Sequence, residues 1–146
     1  MTGNIAYEKS VINKVGGFDE KLDYLEDRDI ALQSIKHGQI LFNPCMVVFH
    51  PRVVLTPKKY LKVATRTSNR VYLFKKLGDK TFFLGRILMP FNLLRLLCPP
   101  LVFSSLFSKK FKTKDDYRLL PYIYLYLILE RLSIWQECAR TKVFLI

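Results

Sequence analysis

Residues 15–38 read VGGFDEKLDYLEDRDIALQSIKHG, and six carboxylates fall between Asp19 and Asp29. Glycine accepts the left-handed backbone that ends many helices. Gly16 and Gly17 therefore predict a stop for a helix over 7–15, whose Tyr7, Val11, Ile12 and Val15 share one face. A second helix is predicted from Glu26 or Asp27, with Ala31, Leu32 and Ile35 on its apolar side. Lys36 and His37 then occupy its last turn before Gly38. Acids at the start of a helix and bases at its end both complement the helix dipole.

Downstream, QILFNPCMVVFHP places two short apolar runs, 40–42 and 46–49, around Asn43–Pro44. They predict two short strands, the second closed by Pro51 just after His50. From Pro57 the pattern turns helical, since proline suits a first helical turn. Leu61, Ala64, Ser68, Val71 and Lys75 share one side, and Lys59, Lys62, Arg66 and Arg70 share another. Residues 81–107 and 119–135 are largely apolar, and a polar stretch, KKFKTKDDYR, separates them. Neither offers about twenty uncharged residues, the usual length of a bilayer span. Both suit amphipathic helices lying in a membrane interface, with Tyr117, Tyr122, Tyr124, Tyr126 and Trp135 at headgroup level.

Charge divides the chain. Residues 1–50 carry seven acids and five bases, net −2; residues 51–146 carry nineteen bases and five acids, net +14. A basic surface behind an acidic local site points to phosphate in the second part, and anionic lipid headgroups suit the adjoining apolar segments. Lys59, Lys62, Arg66 and Arg70 are the candidate phosphate or headgroup contacts. Nucleic acid is excluded as the expected partner: no recognition motif is present, and the basic stretch is followed by about sixty residues too apolar for a soluble nucleic-acid module. A soluble helical domain burying 82–107 against 119–135 is the competing arrangement. Three scattered cysteines, Cys45, Cys98 and Cys138, form no paired motif, so a reducing compartment is expected. The opening residues, MTGNIAYEKS, hold no apolar run, which predicts no secretory signal.

The acidic cluster is not a calcium loop. Counted from Asp19, position six is Tyr24 and position twelve is Ile30, where glycine and glutamate are required. Glu26, Asp27 and Asp29 suit a plain helix start. They also suit chemistry, because a carboxylate held at a helix N-terminus can accept a proton from an incoming hydroxyl.

The order of motifs goes further. Gly3–Asn4, Gly16–Gly17–Phe18–Asp19, Glu26–Asp27–Arg28–Asp29, Gly38 and His50 together resemble the C-terminal half of the catalytic domain of family 2 glycosyltransferases, which have the GT-A fold. The resemblance covers about the first third of the chain and, more loosely, the helix that follows. It implies transfer of a sugar from a nucleotide-sugar donor to a hydroxyl acceptor, a glycan or a lipid-linked molecule, with inversion. By the same resemblance Asp27 is the general base and Glu26 orients the acceptor. Asp29 supports the helix start, and Gly16–Gly17 sets that helix under the acceptor pocket. Asn4 lies near the donor sugar, and His50 helps hold a divalent metal, Mg or Mn, in the intact enzyme. The nucleotide-binding half and its DXD motif do not precede Gly3; Asp27–Arg28–Asp29 has that bare pattern but stands at the ED position. The expectation is a truncated or split enzyme, inactive unless another chain supplies the other half. A non-catalytic membrane-surface interaction protein is the alternative.

The expected architecture is α+β, mostly α. A partial GT-A remnant of short strands and two helices spans 1–56, a basic helix spans 57–80, and apolar amphipathic helices span 81–146. The expected location is the cytoplasmic face of the cell membrane.

Overall fold

A computed structural model of the chain describes residues 4–49, 55–102 and 117–145. The protein is α+β and mostly helical, with one small two-stranded sheet among the described residues. It divides into two compact units, Met1–Arg52 and Val53–Ile146.

In the first unit α1 (Lys9–Val15) packs against α2 (Glu26–Ser34). The glycine stop is where the sequence places it. Gly16 caps α1 with φ 80°, and its N–H and that of Gly17 reach back to the Asn13 and Ile12 carbonyls. Leu22 and Ile30 form the buried apolar centre of this unit. α2 stops at Ser34, one turn earlier than expected. Ile35, Lys36 and His37 continue as turns, so both basic residues lie beyond the helix and are exposed.

The two strands expected over 40–42 and 46–49 do not form; these residues run irregularly, with a turn at Pro44–Cys45. Phe42 is 90% exposed and Phe49 88%. A strand needs a partner edge to satisfy its backbone, and no described segment offers one.

The second unit is built around one long helix. α3 (Pro57–Thr65) begins with Thr56, whose Oγ1 accepts from the Lys59 N–H at 3.3 Å, followed by Pro57. The continuous helix expected over 57–80 is in fact two. α3 ends at Thr65, and α4 (Ser68–Leu77) starts after Arg66–Thr67 and is capped by Gly78 at φ 69°. An antiparallel hairpin follows, β1 (Phe83–Leu84) with β2 (Ile87–Leu88), pairing Phe83 with Leu88 and Leu84 with Ile87. Gly85 turns it at φ 60°. Next come α5 (Pro90–Leu97), a 3-10 turn over Leu120–Tyr122, and α6 (Ile123–Thr141). At 1.5 Å per residue α6 is roughly 28 Å long.

α3, α4 and α5 all pack on α6. The core joins Val71, Leu88, Ile134, Cys138 and Leu145, with Phe74, Phe83, Met89 and Val143 against it. Burying each large aliphatic side chain contributes roughly 1.5–3 kcal/mol. Two polar ties add to this. Lys75 Nζ donates to the Thr141 carbonyl at 2.7 Å, closing the end of α6, and Ser133 Oγ donates to the Thr65 carbonyl at 3.0 Å, closing the end of α3.

Candidate functional site

The carboxylate cluster sits where α2 begins. Leu25 precedes the helix in the left-handed region, φ 70°, a conformation that costs a side-chain-bearing residue roughly 1–2 kcal/mol. Its carbonyl still accepts the first helical bond, from Asp29 N at 3.0 Å. Glu26 and Asp27 are half-buried. Asp27 Oδ1 accepts from the Arg28 N–H at 2.8 Å, so this carboxylate is oriented by the helix it opens. Asp29 is fully buried and accepts from Gln33 Nε2 at 2.9 Å, one turn on, which anchors the helix start. Gly16 and Gly17 both hold φ 80° and reverse the chain between α1 and this cluster.

A cavity of about 620 Å³ lies in the same unit, between Asn4–Glu8, the end of α2 and the segment 39–46. Asn4, Tyr7, Ser34, His37, Ile40 and Met46 are among its walls; Glu26, Asp27, Asp29 and the glycine pair are not. Asn4 Nδ2 donates to the Met46 carbonyl at 2.7 Å, so its amide ties the two edges of the cavity together. The Tyr7 and Ser34 hydroxyls are buried and without hydrogen-bond partners. Burial pushes the Tyr7 phenol above its ordinary value. The resemblance places Asn4 near a donor sugar, and here Asn4 lines this cavity; the sequence gave no sign of Tyr7 or Ser34 beside it.

His50, the expected metal ligand, lies outside the described residues. Among those that are described, no three His, Cys, Asp or Glu side chains gather as a metal site would require.

The four basic positions do not share one solvated stripe. Lys59 and Lys62 are exposed on α3, Arg66 caps its end, and Arg70 lies on α4 with its guanidinium 3.9 Å from the centre of the Phe82 ring. The break at Arg66–Thr67 separates the first pair from Arg70.

The second unit holds a polar cluster that the sequence reading missed. Glu130 is 1% exposed and Arg131 2%, although both stand in the middle of an apolar run. Asn92 Nδ2, from α5, donates to Glu130 Oε1 at 3.0 Å and Oε2 at 2.9 Å. Thr67 Oγ1 donates to Oε1 at 3.5 Å, and Arg131 Nη2 donates to the Leu88 carbonyl at 3.2 Å. Burial raises the Glu130 carboxyl, with Asn92 and the Arg131 cation pulling the other way. Tyr60 stacks on Tyr126 at 4.7 Å, and burial together with the Glu130 charge pushes its phenol up to about 12, against the opposing cation of Arg95. Polar residues recurring at 130, 133, 137 and 141 were the available signal for this buried seam.

No helix among the described residues is long and apolar enough to cross a membrane. Comparison with protein-family models, with curated proteins and with solved structures returned no match.

Proposed function

We propose that the first unit is part of a glycosyltransferase-like catalytic domain, completed by a nucleotide-binding polypeptide in the same or another chain. The completed enzyme transfers a sugar from a nucleotide-sugar to a hydroxyl. The observation that carries this reading is a set of uncovered apolar side chains and unsatisfied hydroxyls in this unit. Ile40, Leu41, Phe42 and Met46 are exposed along the cavity, and the Tyr7 and Ser34 hydroxyls are buried without partners. A finished domain covers such residues and satisfies such groups. Two further features support the chemistry. The carboxylate pair follows a strained residue, and strain concentrates at functional sites. Asp27 is held in one orientation, as a general base requires.

In this reading Asp27 takes the acceptor hydroxyl proton, Glu26 orients the acceptor and Asp29 keeps the helix start rigid. A divalent metal on the donor diphosphate belongs to the completed enzyme, with His50 as this chain's candidate ligand. The test is sugar-nucleotide turnover by the purified chain, alone and with the completing polypeptide. Turnover appears only in the complex, and Asp27→Asn lowers it by about 10²–10⁴-fold. Robust turnover by the chain alone overturns the need for completion, and an unaffected Asp27→Asn complex overturns the base assignment.

A second reading, a non-catalytic interaction protein at a membrane surface, is favoured by one observation: the cavity is lined without Glu26 or Asp27. A complex that assembles through residues 39–49 yet turns over no sugar-nucleotide decides for it.

A further inference from the structure

In a water-soluble helix the apolar side faces the core and the charged side faces solvent. α6 departs from that order. Its outward face carries Leu125, Ile128, Leu132 and Trp135, spaced three, four and three residues apart and all exposed. Its buried face carries Glu130, Ser133, Glu137 and Thr141, spaced three, four and four, among the apolar Ile123, Leu127, Ile134 and Cys138. α5 repeats the inversion. Asn92 points inward to Glu130, while Phe91, Leu94 and Leu97 are exposed. Tyr124 joins the two helices, its hydroxyl donating to the Leu96 carbonyl at 2.9 Å, and is itself part-exposed.

From this geometry we infer that the second unit docks on an anionic lipid bilayer through the outward faces of α5 and α6, which lie in the headgroup–acyl boundary. Three observations select lipid over another protein. The outward residues are bulky aliphatics with an aromatic at the edge, the composition of interfacial helices. The side-chain tie between the two helices, Asn92 to Glu130, is internal, and the polar groups left outside on α6, Gln136 and Arg140, lie toward its C-terminal end, where lipid headgroups can take them. The chain from 51 onward carries a net charge of +14, with Lys59 and Lys62 exposed on the neighbouring α3, complementary to an anionic surface. The inference uses residues of the second unit only and stands apart from the sugar-transfer reading of the first.

Trp135 is the single tryptophan and is 50% exposed, so the intact protein reports on its own docking. Mixed phosphatidylglycerol–phosphatidylcholine vesicles shift its emission to the blue, and lipids brominated high on the acyl chain quench it. Phosphatidylcholine vesicles do so weakly, and added salt reduces binding. Ile128→Asp with Leu132→Asp leaves the circular dichroism unchanged, since both sites are exposed. The same pair weakens vesicle binding by at least about tenfold, because carboxylates at membrane depth are costly. Lys59→Glu with Lys62→Glu weakens binding to anionic vesicles only. Three results overturn the proposal: unchanged Trp135 emission with anionic vesicles, equal binding by the Asp variants, or a lipid-independent dimer in sedimentation that buries Trp135.

Discussion

Glu130 shows how one residue shapes a unit. Removing a carboxylate from water disfavours its charged form, and here burial outweighs the Asn92 bond and the Arg131 cation, leaving the group raised. A raised carboxyl binds its proton more tightly in the folded than in the unfolded chain. The stability it contributes is full below the ordinary Glu value of 4.5 and is lost as pH rises through the folded value. Denaturant midpoints should therefore fall with rising pH across that window, at a slope of at most about 1.4 kcal/mol per pH unit from this group. Glu130→Gln removes this contribution while its amide oxygen can still accept from Asn92; identical pH profiles for the two proteins would refute the assignment. The charges at 130 and 131 were plain in the sequence. Their burial was not, because an apolar run interrupted by a charge pair reads the same whether the pair faces water or a core.

Among the elements, α1, the start of α2 and the start of α3 were legible because local chemistry determines them: Gly16 in a left-handed cap, acids in a first turn, Thr56 before Pro57. Strands were not. Residues 40–49 have the composition of strands but no described partner, while the hairpin formed where Gly85–Arg86 allows a two-residue turn and Phe83 and Leu88 can pack on the core. A strand is a property of a pair, and single-segment patterns do not contain the pair. The helix break at Arg66–Thr67 escaped notice for a related reason: Thr67 is buried, with its hydroxyl turned toward Glu130, 63 residues away. The exposed segment leads to a prediction of its own. Phe42→Ser and Phe49→Ser should change the stability of the isolated chain by no more than about 0.5 kcal/mol, since neither side chain is covered. The same variants should abolish assembly with the completing polypeptide, as read by co-purification; unimpaired assembly would place its docking surface elsewhere.

At the scale of the whole molecule the two units differ in how much they bury. The first encloses Leu22 and Ile30, the second a continuous core along α6. The charge division near residue 50 was legible in the sequence, whereas the positions of the cores depended on contacts across long separations. The cysteines happen to sample both regimes. Cys45 and Cys98 are exposed, while Cys138 is buried beneath Leu145 and burial pushes its thiol above the usual value. A thiol reagent thus becomes a clock: the two exposed sulfurs are modified first, and the third waits for α6 to lose its core. The interval between those phases times the opening of the second unit alone, and its lengthening when vesicles are added would tie kinetic protection to lipid occupancy. Three equal rates would mean that the α6 core does not close over Cys138.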